Sequence, residues 1–560
     1  MRPRILSPPN ASWRHGSDMP GWSELRRKFF LGLDLLGWRR QTALFRAEQP
    51  PAPNKTLMVG ALLTIPATLK AEAVYARALQ MRGYRPVFVL GELSGYNRAL
   101  LTTLLGNAVR VVTLQEYADA DDAVAARAQA KGLLATHATL ESFLRLEVDS
   151  VRVGRNSLST VVRALRASHV DFSNSDHLAR IELALADSLV AALRSARLVA
   201  DIHPDIALFN ERGYTPAGEL FDACLVKDVN TIQWLGAPQA DHLLYKRYTR
   251  ATRGQHPLAL SDETWANLTA APWSATDEDR LMAKLASHYK SGAWFNRQQL
   301  QEGKTVMGPA EVRAYLGIAA DRRIAVIFSH ILYDATFFYG DSLYPDYATW
   351  LVETVRAAIA NPHLDWVVKV HPVNVWRSKM DGAPLEQLEA KLLREAFGQL
   401  PPYVTIMPAD TPVNTYALFQ TIDYGLTVRG TVGMELPCYG IPTVTAGTGR
   451  YSGRGFTMDP TAQAEYQDLL GRLHSVPRLS PETITRARRY GFGTFFLRPA
   501  PIKSFRLLFN SAEARLPELS VGVKIDGGGD LEAMKDLRAF AEFAEDRRLL
   551  DFIASQPALD

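Results

Sequence analysis

Two short apolar runs, each stopping abruptly in a cationic or small-residue turn, constrain this chain more than any other feature. The first is Trp366-Val367-Val368-Lys369-Val370, which ends in His371-Pro372. The second is Tyr424 to Val428, followed by Arg429-Gly430-Thr431-Val432-Gly433 and then Met434-Glu435-Leu436 entering a short helix. Gly440 to Thr445 reads as the next strand. Brief apolar runs bounded by such punctuation read as buried parallel strands covered by helices on both faces. In open sheets of this kind, ligands bind where the strands stop. The polar and cationic groups at these stops are therefore site candidates.

The Gly430–Gly433 turn leads into a helix, so its backbone N–H groups and the positive end of the helix dipole suit phosphate. Glu435 falls about one turn into that helix, where a carboxylate can hold a ribose diol. Alone, such a turn is a common strand-to-helix connection. Its specificity comes from the Lys-x-His-Pro strand end upstream.

A second stretch repeats the logic earlier in the chain. Asp205 to Phe209 reads as a strand, and it ends in Asn210-Glu211-Arg212-Gly213-Tyr214 before a helix begins near Glu219. Upstream, Thr56 to Ala61, the Ala-rich helix Leu69 to Arg82, and Pro86 to Leu90 make a βαβ unit. Val109 to Leu114 reads as a further strand, and Asp176 to Arg197 as a long helix. Arg323 to Phe328 opens a second α/β series and ends in Ser329-His330, with Asp334 close behind.

The length of 560 residues fits two or three domains. Hydrophobic content of 47% and charged content of 22% are ordinary for a globular chain. Net charge is +4, from 63 basic and 59 acidic residues, so no global field calls for nucleic acid. The two cysteines, Cys224 and Cys438, sit in apolar contexts and read as buried thiols, which fits a reducing cytoplasm. No apolar run approaches the ~18 residues of a membrane span, and no signal peptide is visible.

Residues 1–21 read as a loose arm. Trp22 to Arg46 reads as a basic amphipathic helix, with Leu25, Phe29, Leu33 and Leu36 at helical spacing. Two readings stay open for it: packing on the protein's own body, or peripheral contact with an anionic membrane at the inner face. Asp241 to Pro272 shows no clear strand. Its Lys246, Arg247, Arg250 and Arg253 read either as a solvated face or as a grip on an anion. Thr276 to Leu300 reads as helix, Ile525 to Asp530 as a flexible break, and Leu531 to Ser555 as a terminal helix.

The runs NERGYTPAGELFDACL, FSHILYDATFFYGD, KVHP and RGTVGMELPCYGIPTV resemble the bacterial capsule polysaccharide biosynthesis family. That family contains GT-B glycosyltransferases, among them Kdo transferases that build the lipid-linked start of capsules. The resemblance covers roughly residues 200–490. It implies an α/β GT-B-like fold of two facing Rossmann-like domains, with residues 51–300 on the acceptor side and 301–490 binding the nucleotide sugar. A 1–50 arm and a 491–560 crossover flank them.

The resemblance further implies transfer of a sugar from a nucleotide donor, CMP- or UDP-linked, to a glycan, lipid-linked or protein acceptor, with no cofactor and no metal. Ser329, Lys369, His371, Arg429, Gly430, Thr431, Gly433 and Glu435 are then the donor-binding residues, and Arg212 and Tyr214 meet the acceptor. Glu211, His330 and Asp334 are the candidates for the base, with Glu211 favoured because it faces the donor from the acceptor side. A nucleotide-sugar 2-epimerase shares the fold and the glycine turn. A non-catalytic nucleotide- or sugar-binding subunit of a polysaccharide assembly complex is the reading outside enzymology.

Overall fold

The computed structural model describes residues 20–47, 49–290, 300–301, 303–375, 387–509, 514–525 and 534–554. Two parallel sheets organise it. The first contains β1 (Lys55–Ala61), β2 (Tyr84–Leu90), β3 (Arg110–Thr113), β4 (Ile206–Phe209) and β5 (Asn230–Gly236), in the order β3-β2-β1-β4-β5. β6 (His242–Tyr248) extends it antiparallel to β5. The second contains β7 (Ile324–Phe328), β8 (Asp365–Lys369), β9 (Val404–Met407), β10 (Tyr424–Thr427) and β11 (Thr443–Thr445), in the order β11-β10-β7-β8-β9, all parallel. In each sheet the strand order reverses beside the first strand, between β1 and β4 and between β7 and β10. That reversal opens the crevice in which doubly wound sheets bind ligands.

Alternation along the strands explains why both faces are covered. Leu57 and Val59 of β1 pack into one apolar cluster, while Met58 packs into the cluster on the opposite face. In the second sheet, Trp366 and Val368 share one core and Val367 belongs to the other. Strands buried on both sides this way have no polar face to show water. Gly60 is glycine for a packing reason, since a Cβ there would meet the Phe209 ring on the paired strand.

The stretch read as strand-free, 241–272, contains β6 and the helix Asp262–Ala270. Its cations are structural. Lys246 is almost wholly buried and donates to Asp551 Oδ1 at 2.8 Å and to Ala259 O at 3.1 Å. Arg247 donates to Asn230 and to the carbonyls of Phe543, Ala544 and Leu549. Arg250 and Arg253 bond Ser150, and Arg253 also pairs with Glu147. Lys246 and Arg247 are buried on these partners, while Arg250 stays exposed.

Asp551 belongs to the C-terminal segment, which returns to the first lobe. β12 (Ala500–Pro501) pairs with β6, and the helix Lys535–Glu545 sets Phe540 against Tyr75 with ring centroids 4.5 Å apart. This helix is shorter than the Leu531–Ser555 span expected. Burial works against the Asp551 carboxylate, yet Arg498 and Lys246 hold it well below the usual range. Lys246 is pushed down to about 8 by burial, with Asp551 opposing. The helix expected over 276–300 is seen as Ala275–Lys290; 291–299, like the 526–530 break and most of the 1–21 arm, lies outside the described residues.

Candidate active site

The C-terminal ends of β7 and β10 meet at His330. Its Nε2 accepts the backbone N–H of Val428 at 3.2 Å and of Arg429 at 3.4 Å, and it lies 3.1 Å from Thr427 Oγ1. An imidazole nitrogen that accepts from amides carries no proton, so the neutral ring is protonated on Nδ1. The ring stacks on Tyr347 with centroids 4.3 Å apart. Burial holds His330 well below the ordinary histidine range, and the nearby Arg429, His371 and Arg450 push the same way. It is therefore neutral at neutral pH. This geometry makes His330 a hydrogen-bond donor through Nδ1, in place of the base named in the sequence reading.

Arg429 lies two residues past the end of β10 and is 4% exposed. Its Nη2 donates to Asp341 O at 3.0 Å and to Ser342 Oγ. Its Nε and Nη1 are buried without a hydrogen-bond partner among the described residues. The Tyr347 hydroxyl beside it donates to Ala335 O at 3.2 Å, which leaves its oxygen able to accept weakly from Arg429. A buried guanidinium with two idle N–H groups is costly unless an anion completes it.

Arg450 adds a second cation. It reaches back from the loop after β11 to donate to Arg429 O at 3.2 Å. Tyr490 donates to Arg450 O at 2.6 Å, and Tyr451 donates to Gly430 O at 2.6 Å. Burial pulls the Arg450 pKa down, opposed by Tyr451, Tyr490, Glu435 and Tyr339 around it. Tyr451 thus pins the Gly430–Gly433 turn, and Tyr490 pins the loop that carries Arg450. A Cβ on Gly433 would overlap the Tyr451 hydroxyl, so this glycine is required by protein packing. Thr431 stands half-buried at the start of the helix Val432–Cys438.

The remaining predicted donor residues divide. Ser329 donates its N–H to Lys369 O, and its Oγ accepts His371 N–H at 3.0 Å, so it stitches β7 to β8. His371 Nδ1 accepts Val373 N–H, and the ring lies near enough to His330 to act on its charge. Lys369 makes no side-chain hydrogen bond to this group among the described residues. It is nearly buried, and burial, with Lys304 adding repulsion, pushes it down to about 7. Glu435 is fully buried, with Oε2 accepting from Tyr289 at 2.5 Å and Oε1 unpartnered. Burial pushes it up to about 7, against the pull of Tyr289 and Arg450. It lies under the turn, shut off from the surface on which a ribose was expected.

In the first lobe, Glu211 sits at the end of β4. Its Oε1 accepts the N–H groups of Arg212 at 2.7 Å and Gly213 at 3.0 Å, which aims the carboxylate along its own turn. Oε2 has no partner among the described residues. Glu211 lines a shallow, solvent-open hollow at the β1–β4 crevice, with Asn210, Thr64, Thr68 and Glu72. Glu72 is buried there with both oxygens unpartnered, and burial pushes it up to about 8 although the Trp234 indole opposes.

Arg212 corrects the acceptor assignment. It is 1% exposed and donates to Gln233, Arg253 O and Gln255 O, with Tyr248 under its guanidinium at 4.2 Å. It braces the loop, with its donors turned to protein acceptors in place of an open surface. Tyr214 instead reaches the other lobe and donates to Asp334 Oδ1 at 2.8 Å.

The lobes also touch backbone to backbone. Gly340 N–H donates to Gly254 O at 2.6 Å, and His256 N–H donates to Gly449 O at 2.7 Å. A Cβ on Gly340, whose φ is +70°, would overlap the Thr448 carbonyl, so only glycine fits this crossing. Tyr339 lies in this seam, close enough to Arg212, Glu211 and Asp334 for their charges to act on its phenol, and close enough to Arg450 to act on that guanidinium. A buried cationic cluster in one lobe and a carboxylate-lined hollow in the other thus both lie near this boundary. Arg450, His256, Tyr451 and Glu72 are absent from the sequence reading. For Arg450, the glycine-rich run AGTGRYSGRGF after β11 was an available signal.

No protein-family model matches the chain, and no curated protein matches it in sequence. Among solved structures it is similar to the beta Kdo 2,4 transferase of Thermosulfurimonas dismutans KpsC, at 14% identity and a TM-score of 0.31, over 55% of this chain and 83% of that one. The beta Kdo 2,7 transferase of the same protein gives 15% identity and a TM-score of 0.32, over 62% and 89%. A UDP-GlcNAc 2-epimerase from Neisseria meningitidis bound to UDP-GlcNAc gives 12% identity and a TM-score of 0.26, over 79% and 96%.

Proposed function

We propose that this chain is a glycosyltransferase that moves a sugar from a nucleotide-sugar donor to a surface-glycan acceptor without a metal ion. One observation carries the reading. Arg429 is buried with two idle nitrogens, next to Arg450 and a neutral His330, and the seam joins this group to the lobe that bears Glu211.

Each part has a role in that chemistry. Breaking a glycosyl–phosphate bond leaves negative charge on the departing phosphate, and preorganised cations stabilise it without reorganisation. Arg429 and Arg450 supply those charges, and the Nδ1–H of His330 adds a neutral donor. The half-buried Thr431 adds a hydroxyl. The acceptor hydroxyl must lose a proton as it attacks, and Glu211 Oε2 is the carboxylate oxygen left open to take it. Tyr214 and Asp334 hold the lobes in register, so that the acceptor and donor are kept in line.

Incubating the protein with CMP-, UDP-, GDP- and ADP-linked sugars, with and without glycan acceptors, tests this reading. Nucleotide release that depends on an acceptor supports transfer. A sugar interconverted without acceptor marks a 2-epimerase, and binding without any turnover marks a non-catalytic subunit.

A further inference from the structure

The N-terminal helix Pro20–Gln41 uses its two sides differently. Towards the first lobe, Trp38 is 1% exposed and donates to Leu100 O at 3.1 Å, and Phe45 in the short helix that follows is equally buried. Asp34 faces the same way, accepting from Lys70 at 2.6 Å and Tyr96 at 2.6 Å. Leu25, Phe29, Leu33 and Leu36, spaced four, four and three residues apart, share the opposite side of the helix. They are 48–65% exposed, and Leu44 continues the stripe at 53%.

Cations rim this stripe. Arg26, Lys28, Arg39 and Arg40 are all exposed, and Arg515 is exposed beside them, with its guanidinium 5.4 Å from the Phe30 ring. Only two acidic residues occur between 20 and 47. One is Asp34, turned inward; the other is Glu24, paired with Lys28 at 2.8 Å. A second copy of this chain docked stripe to stripe would bring cation against cation. Among the described residues no helix is long and apolar enough to cross a membrane. An apolar stripe with a cationic rim fits the plane of an anionic lipid surface, where the leucines enter the acyl boundary and the arginines meet phosphate.

We propose that the outer side of helix Pro20–Gln41 docks this enzyme on an anionic phospholipid bilayer. The inner side stays fixed to the first lobe throughout, so the helix is a permanent keel that needs no refolding to bind. This surface stands independently of the catalytic reading.

The test is co-sedimentation of the full chain with vesicles of phosphatidylcholine alone or mixed with phosphatidylglycerol. The proposal predicts binding to the mixed vesicles only, weakening as salt rises. The variant Phe29→Asp, Leu33→Asp, Leu36→Asp should bind at least about tenfold more weakly. The variant Arg26→Gln, Arg39→Gln, Arg40→Gln should lose on the order of a hundredfold. Both change exposed side chains, so circular dichroism and melting temperature should match the parent. Equal binding to both vesicle types, or unchanged binding in either variant, overturns the proposal. So does a dimer in light scattering that the aspartate variant dissolves, because it would mean that a second copy covers the stripe.

Discussion

The Tyr214 hydroxyl of the first lobe donates a 2.8 Å hydrogen bond to Asp334 of the second, and it also accepts the backbone N–H of Ala335 at 3.3 Å. The residue three positions after the candidate base is thus anchored to the loop that follows the first strand of the other lobe. The loop that carries Glu211 is tied to the other lobe by this contact.

Removing that hydroxyl should separate them. Tyr214→Phe keeps the ring against Phe338 and Arg163 but leaves Asp334 short of a donor. Losing a hydrogen bond to a charged acceptor should cost about 1.5–3 kcal/mol. Chemical denaturation should register that loss, and small-angle scattering should show a more open particle.

Arg429 is the cation on which the donor reading leans. Arg429→Met should abolish the rise in melting temperature that a nucleotide produces in the parent protein, because ligand linkage requires the site. Without nucleotide the variant should melt no lower than the parent, since the substitution removes a buried charge whose Nε and Nη1 are unpartnered. Arg429→Lys should recover only part of the nucleotide effect, because an ammonium lacks the planar fork.

Much of this site was legible in the sequence, and the reasons for the rest are physical. Strand ends are local events: an apolar run that stops at Arg429-Gly430 or at Glu211 shows itself within ten residues. Whether a cation at such an end faces a ligand is decided at long range. Arg212 was read as an acceptor contact because nothing nearby reveals that the carbonyls of Arg253 and Gln255 saturate it. Lys246 and Arg247 read from sequence as a solvated face or a grip on an anion, because their partners lie near the far end of the chain. Arg450 was missed for the converse reason, since Tyr490 places it beside Arg429 from forty residues away. Glu72 sits in an Ala-rich helix, and only the β1–β4 crevice gives it meaning.

Glu72 should leave a signature in the pH dependence of stability. Its folded pKa of about 8 stands above the ordinary glutamate value of 4.5. The native state therefore holds a proton that the unfolded chain gives up, so the favourable contribution is complete below 4.5 and is lost as pH rises towards 8. Glu72→Gln cannot titrate. Relative to the parent, the variant should gain stability between acid and mildly alkaline pH by on the order of a few kcal/mol, followed by urea unfolding at each pH.

The tail that closes on the first lobe is held by charge. Asp551→Asn would leave Lys246 and Arg498 buried without their counter-ion. Breaking one partner of a buried ion network typically costs about 3–5 kcal/mol. The midpoint of urea unfolding should fall accordingly, while a nucleotide still raises the melting temperature of the fraction that folds.

The most direct measurement of the proposed transfer is single-turnover nucleotide release by Glu211→Gln. Glutamine keeps an oxygen to accept from Arg212 and Gly213 but cannot take a proton from the acceptor. Loss of acceptor-dependent release by at least about a hundredfold, with the nucleotide-induced rise in melting temperature unchanged, is the predicted result. Release at the parent rate would contradict the account and leave Glu211 as a brace for its own turn.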